Sequence, residues 1–443
     1  MRVSYGRLGN QNGAGLYEYL GTMVLQTNNP NGWLLPGGSS AEANKGTLAM
    51  TPSQISPFIT WEKVDNANIG LDLMFFDGRL SFTGDLYQRT THDMIGPAEA
   101  IPSISGISPN DRAKVNNATL RNRGWEIALN WQDQLSNGFH YAVGFNLFNY
   151  KAVVTKYNNP DGIIYNNHTG LDSNKGYYEG MDLGEIWGYK ADELFYANKQ
   201  IDAYLENVDL SFFKPYEQWQ VGDLKYEDVD GDGKVDPGKG TLSDHGDLRI
   251  IGNSTPKYSY GINLSFGWKG LELTALFQGV GKRDFAMAGS TYLFGGKNYF
   301  KDHLDYYDPL TNPDGYLPRL TNGGLGSQPD IDWQVNTGYN TSRYLLNAAY
   351  LRLKNLMISY TFQDRILKKI KFDKLRIYAS CDNVFTIDAL PSAFDPETLN
   401  IVNTWAGGST ASAPALTSPL NQNGNGKVYP LSRTFVIGLD ITF

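Results

Sequence analysis

Arg433-Thr434-Phe435-Val436-Ile437-Gly438-Leu439-Asp440-Ile441-Thr442-Phe443 is the stretch whose reading decides the fold. Phe435, Ile437, Leu439, Ile441 and Phe443 fall on one face of a strand. Thr434, Gly438, Asp440 and Thr442 fall on the other, with Val436 as the exception. Successive strand side chains point to opposite faces, so this pattern is a β-strand with one continuous apolar wall. A strand of about this length, apolar on one side and small or polar on the other, can cross a bilayer as part of a closed barrel.

The same alternation recurs upstream. Ile69, Leu71, Leu73 and Phe75 alternate with Asn68, Gly70, Asp72 and Met74. A turn at Asp77-Gly78-Arg79 leads to Leu80, Phe82 and Leu86. Trp125, Ile127, Leu129 and Trp131 precede Ser136-Asn137-Gly138, and Phe139, Tyr141, Val143, Phe145 and Leu147 follow it. Tyr260, Ile262, Leu264, Phe266 and Trp268 meet a Lys269-Gly270 turn, then Leu271, Leu273, Ala275 and Phe277. A fourth pair runs over Leu356–Tyr360 and Leu375–Ala379. Short Asn-, Asp- and Gly-containing connections of this kind predict β-hairpins.

Aromatic residues (Trp125, Trp131, Phe139, Trp268, Tyr360 and Tyr429) sit at the ends of these apolar faces. In a barrel they form interfacial girdles; in a soluble sandwich they cap the core. Alternation alone leaves both open. Two features favour the barrel. The polar faces are rich in Gly, Asn, Ser and Thr, as a wet lumen requires. The connections also alternate, with short turns at one end and long segments at about 27–57, 95–118, 155–255, 284–343 and 388–428 at the other. Segments of that size count against a compact soluble domain, whereas on a barrel rim they can fold over the mouth and carry recognition.

Composition agrees with many strands and turns. Of 443 residues, 48 are Gly and 28 are Tyr, and aromatics make up 13%. No apolar run approaches the roughly 18 residues of a transmembrane helix, which leaves barrel strands untouched because each gives only a weak hydropathy signal. The net charge is -8 and no tract concentrates Lys and Arg, which argues against a nucleic-acid partner. The single cysteine, Cys381, allows neither an intramolecular disulfide nor a thiolate metal cluster, and reads as a small strand side chain. Met1–Gly6 already reads as a strand with no leader ahead of it, so an exported barrel implies processing or truncation.

One motif carries metal chemistry. Asp228-Val229-Asp230-Gly231-Asp232-Gly233-Lys234-Val235-Asp236 matches the first nine positions of an EF-type calcium loop. Asp228, Asp230 and Asp232 occupy positions 1, 3 and 5, Gly233 permits the sharp turn, Lys234 would ligate through its carbonyl, and Asp236 stands at position 9. Alternate carboxylates suit a hard cation that wants several oxygens at about 2.3–2.6 Å. Position 12 is Lys239, so Asp244 or Asp247 would have to close the shell. A bound Ca2+ here would brace a long extracellular loop, with affinity of about 10⁻⁴–10⁻³ M. A solvated acidic turn is the plain alternative.

No enzyme emerges. The five histidines, His92, His140, His168, His245 and His303, form no zinc spacing. There is no G-x-S-x-G, P-loop or dinucleotide fingerprint. With 46 acidic residues, no carboxylate pair can be singled out for glycoside hydrolysis. Trp187, Trp219, Trp333 and Trp405 in the long segments could stack on sugars, or pack the loops onto one another.

Several stretches together resemble the SusC/RagA-type TonB-linked outer-membrane proteins. They are Arg2–Gln11, Asn68–Asp72 with Arg79–Asp85, Arg121–Glu126, Ile186-Trp187-Gly188-Tyr189-Lys190-Ala191, Gly222–Tyr226 ahead of the Asp-Gly-Asp-Gly loop, Ile250–Pro256, Tyr350–Leu356 and Tyr429–Arg433. A terminal Phe443 is similar to the C-terminal signal of outer-membrane barrels. The resemblance covers essentially the whole chain, and its ordered set of motifs is specific. It implies an all-β, antiparallel up-and-down transmembrane β-barrel, here the C-terminal strands of one with about 22, bearing long extracellular loops. Residues 155–255 would be the largest loop region. It further implies TonB-dependent import of oligosaccharides or peptides across the outer membrane of a Bacteroidetes-type bacterium. The implied partners are a SusD-like surface lipoprotein, TonB–ExbB–ExbD acting through an N-terminal part, and outer-membrane lipid. The family's signal peptide, N-terminal domain and plug have no counterpart in these residues. At about ten residues per strand, roughly 12–14 strands are expected. The alternatives are a smaller self-contained barrel acting as passive porin or adhesin, and a soluble β-rich glycan-binding module.

Overall fold

The computed structural model describes residues 1–11, 25–26, 48–49, 54–56, 58–96, 104, 113–164, 177–214, 218–287, 301–320, 334–362, 367, 372–399 and 430–442. Ten strands form one antiparallel sheet: β1 (Arg2–Asn10), β2 (Glu62–Phe75), β3 (Leu80–Gly96), β4 (Val115–Gln134), β5 (His140–Lys156), β6 (Lys257–Trp268), β7 (Leu271–Lys282), β8 (Tyr350–Thr361), β9 (Lys374–Asp388) and β10 (Thr434–Thr442). Each strand pairs with its neighbours in sequence, giving an up-and-down meander. Among the described residues, the outer edges of β1 and β10 have no strand partner.

The short turns all lie at one end of the sheet. β6 and β7 are joined by Lys269 and Gly270, both at positive φ (49° and 88°), with Trp268 opposite Leu271. Two central residues at positive φ match the right-handed twist of the flanking strands, and glycine is the natural occupant of the second. The long connections leave from the opposite end.

Among the described residues the sheet has ten strands, against the roughly 12–14 expected. The strands are longer than about ten residues, reaching 17 in β3 and 20 in β4, so fewer of them use up the chain. Short stretches that also read as strands, such as Glu185–Gly188 and Arg249–Asn253, form a separate two-stranded pair among the loops.

The register places the predicted apolar set on a single face. Phe435, Ile437 and Leu439 stand beside Cys381, Ala379 and Ile377, which stand beside Leu356, Ile358 and Tyr360. The same row continues through Leu271 and Leu273 to Trp268 and Phe266, and on through β5 and β4 to Leu86 and Ile69. Among the described residues this face lies open at β10, where Phe435 is 73% exposed and Ile437 83%. An apolar face of this extent is a surface for lipid. Phe443 and Tyr429 lie outside the described residues.

The opposite face is polar and linked by charge. Arg2 on β1 reaches Asp72 on β2 at 2.7 Å and Asp85 on β3 at 3.0 Å. Arg376 on β9 lies 3.4 Å from Asp440 on β10.

The tightest packing is among the connections. Met181, Tyr189, Phe195, Leu210, Phe213, Leu224 and Tyr226 come from 157–256; Phe285, Tyr306, Tyr307, Leu317, Tyr339 and Tyr344 from 283–349; Leu399 from the segment after β9. Together they form one buried apolar cluster. The rings of Phe213 and Tyr226 stack at 4.0 Å, and Tyr189 meets Phe213, Tyr226 and Tyr339 edge-on at 5.2, 5.7 and 5.8 Å. Burying aromatics of this size stabilises by about 1.5–3 kcal/mol each, with about 0.5–1.5 more for each good ring pair. The described parts of the long segments therefore form a folded module with its own core. Trp187 and Trp219 are packed into that core, each 9% exposed, so of their two readings the packing one holds; Trp333 and Trp405 lie outside the described residues.

Candidate functional site

Three features of this scaffold can carry function: the polar face of the sheet, the folded loop module above it, and the acidic loop inside that module.

The polar face holds a groove of about 520 Å³, bordered by Asn130 and Gln132 of β4, Asn263 and Ser265 of β6, Thr274 of β7 and Asn355 of β8. These are uncharged hydrogen-bonding side chains. They come from alternate strand positions, and Trp131, Val143, Leu264, Ala275 and Leu276 border the groove with them. Gly144 also lines it.

The module is tied together by Asp223, whose side chain is fully buried. One carboxylate oxygen accepts from Lys214 Nζ at 2.8 Å and from the Gln220 N–H at 2.9 Å. The other accepts from Arg319 Nε at 2.6 Å and Asn336 Nδ2 at 2.9 Å. Asn336 in turn accepts from the Leu224 N–H. A buried charge needs this degree of pairing, and here the partners come from two separate loops. A second tie runs from β8 to the segment after β9: Arg352 meets Asp395 at 2.8 Å and Glu397 at 3.0 Å, and Lys354 meets Glu397 at 2.6 Å.

In the acidic loop, Gly231 and Gly233 adopt φ of 80° and 84°, which allows the sharp reversal foreseen at Gly233. Asp228 accepts from the N–H groups of Gly231 at 2.6 Å and Gly233 at 2.9 Å. Asp230, Asp232 and Asp236 accept from the N–H groups of Asp232, Lys234 and Gly238 in turn. Asp228 and Asp230 converge with Asp247, one oxygen of each lying within 4.8 Å of the others. That spacing is about the widest two oxygens can have on one Ca2+ at roughly 2.4 Å each. The carboxylates of Asp232 and Asp236 stand outside this convergent group, and Lys234 is held by a bridge to Asp209.

Asp247 is one of the two residues suggested to close the shell. It is buried, and its carboxylate accepts from the N–H groups of Val229 at 2.7 Å and Asp236 at 3.0 Å. Burial pushes its pKa above the usual carboxylate range, a shift that these N–H groups partly offset.

Comparison with known proteins agrees with this architecture. Residues 1–384 match the model of the TonB dependent receptor-like β-barrel family. The chain is 26% identical to TonB-dependent receptor P3 of Formosa agariphila over 87% of its own length and 34% of that protein's. It is 24% identical to TonB-dependent receptor SusC of Bacteroides thetaiotaomicron over 100% and 37%. Among solved structures it is similar to the RagAB peptide transporter, with a TM-score of 0.65 and 19% identity over the whole chain and 40% of that chain. The chain thus spans between about a third and two fifths of the length of these relatives. The ten-stranded meander with its outward apolar face is an outer-membrane structure, and the chain belongs to the TonB-dependent receptor-like β-barrel family.

Proposed function

We propose that this chain supplies the C-terminal barrel wall and the substrate-facing loops of an importer that moves oligosaccharides or peptides across the outer membrane, in company with a SusD-like surface lipoprotein and driven by TonB–ExbB–ExbD. The observation that carries the reading is the pairing of a polar, groove-bearing sheet face with a loop module that has its own core. A passive pore needs no folded superstructure of this size, whereas a gated importer needs a firm rim on which a lid can rest. The groove's lining of Asn, Gln, Ser and Thr beside apolar side chains, with no charged residue among them, favours uncharged hydroxyl- or amide-bearing cargo. The remainder of the barrel would pair with the free edges of β1 and β10, whose unpaired backbone groups cost several kcal/mol each in lipid.

The test is uptake by the producing bacterium of a labelled oligosaccharide mixture and a labelled peptide mixture, with and without the gene for the full-length protein. The reading expects uptake of one class to be lost on deletion and abolished by a protonophore. Uptake that persists without energy would mean a passive pore, and wild-type uptake of both classes would overturn the reading.

We also propose that Asp228, Asp230 and Asp247 hold a structural Ca2+, with Asp232, the Lys234 carbonyl and Asp236 arrayed along the same loop. Support comes from an all-oxygen donor set, from the spacing of the three carboxylates and from the burial of Asp247 beside two other acids. A bound cation would offset the negative charge that gathers where Asp228 and Asp230 meet the buried Asp247.

A further inference from the structure

The outward face changes character at one height. On β4 the outward positions run Trp131, Leu129, Ile127 and Trp125, then Arg123 and Arg121. On β5 they run Tyr141, Val143, Phe145 and Leu147, then Asn149 and Lys151. Arg123 and Lys151 are directly opposed partners, and Arg121 is the next residue on the same face. Like charges placed directly opposite each other destabilise a sheet.

Neighbouring strands handle the same height differently. Arg7 is matched by Asp65 at 2.6 Å, and Lys63 by Asp93 at 2.7 Å. At the β4–β5 patch the nearby acid is Asp182, 3.9 Å from Lys151 and shared with Lys257 at 3.7 Å. Arg123 donates to the neutral side-chain carbonyl of Gln88. Arg121 makes no ion pair among the described residues. Lys151 is 64% exposed. Three outward cations therefore confront one shared carboxylate.

We propose that Arg121, Arg123 and Lys151 form a binding site for the phosphates of anionic lipid in the outer leaflet. The cluster faces lipid and not the groove, one residue pair beyond Trp125, where aromatic side chains mark the membrane interface and headgroup phosphates lie. Two guanidinium groups supply planar forks suited to phosphate oxygens, and Lys151 adds a point charge. A bound phosphate relieves the Arg123–Lys151 repulsion and fixes the depth of the sheet at this strand pair. The proposal rests on the outer-membrane placement of the sheet.

The test uses the full-length protein in neutral detergent, titrated with lipid A carrying its phosphates, with the same lipid after enzymatic dephosphorylation, and with inorganic phosphate. Bound lipid is counted by native mass spectrometry. Dephosphorylation should weaken binding by about ten-fold or more, given the attraction each basic residue adds at an anionic surface. The combined variant R121Q/R123Q/K151Q should lose a similar factor for the phosphorylated lipid and none for the dephosphorylated one. Equal binding of the two lipids, or binding unmoved by the variant, overturns the proposal. Displacement of the lipid by inorganic phosphate at matched concentration overturns the lipid assignment. A heat-modifiable gel band checks that the variant barrel has assembled; if it has not, the comparison of the two lipids on unmodified protein decides. Failure of the membrane placement would show separately, as protein in the soluble cell fraction.

Discussion

The Lys214 ammonium lies 2.8 Å from the Asp223 carboxylate, and both side chains are fully buried in the loop module. Asp223 also gathers Arg319 and Asn336, so two connections that are distant in sequence meet at one carboxylate.

Replacing Asp223 with Ala removes the carboxylate paired with Lys214 in a dry interior and with Arg319 at its edge. Breaking a buried pair in this way costs about 3–5 kcal/mol. The loss should be local, because the sheet does not depend on this contact. Limited trypsin digestion of D223A is expected to cut within 206–250 while the barrel still shows a heat-modifiable shift. Protection equal to the parent protein would mean that the module is held without this centre.

Calcium at the acidic loop would stabilise the same module. At a hundred-fold excess over Kd, a ligand that binds only the folded state adds about 2.7 kcal/mol. Melts followed by loop fluorescence should therefore rise with calcium and fall with EDTA, and both D230A and D247N should abolish the difference. Melts that coincide with and without calcium would mean that the loop is a plain acidic turn.

Gly270 stands at φ +88°, and a Cβ there would fall 2.3 Å from the Thr361 carbonyl oxygen. Gly270→Val therefore meets both backbone strain of about 1–3 kcal/mol and a collision with the end of the adjacent strand β8. The heat-modifiable fraction of the full-length protein should drop sharply. Lys269→Asn, which gives the favoured Asn-Gly turn, should assemble at least as well as the parent. Normal assembly of G270V would mean that the β6–β7 turn is not formed as described.

Leu264 and Asn263 are sequence neighbours on opposite faces. Arg placed on the lipid face near mid-membrane costs about 2–4 kcal/mol, whereas a lumen position tolerates it. Leu264→Arg should lower stability in a urea titration of the reconstituted barrel by that amount, and Asn263→Arg by far less. Equal costs would contradict the assigned faces.

How much of this could be read in advance follows from periodicity. The hairpins around Asp77–Arg79, Ser136–Gly138 and Lys269–Gly270 were legible because a strand with one lipid face must repeat every two residues. The loop core was not. Tyr189, Phe213, Tyr226, Tyr339 and Tyr344 lie in irregular backbone with no period, and only three-dimensional folding brings them together. The acidic loop was half legible. Asp228 and Asp230 follow a local spacing rule, but Asp247 arrives from beyond a further turn, so the sequence could only offer it beside Asp244. The Arg123–Lys151 opposition was hidden for a related reason, since cross-strand partners become visible only once the register is fixed.

The central claim is that this sheet is a membrane wall with lipid on its apolar face, and spin labels along β6 test it most directly. Single cysteines at positions 260–266 of the full-length protein, in a background free of other cysteines, would each carry a nitroxide in reconstituted bilayers. Collisions with oxygen report lipid, and collisions with a water-soluble nickel chelate report the lumen. The account predicts a period of two, with Tyr260, Ile262, Leu264 and Phe266 oxygen-accessible and Gly261, Asn263 and Ser265 nickel-accessible. Nickel access at every position, or no alternation, would contradict it and return the chain to the soluble β-rich reading.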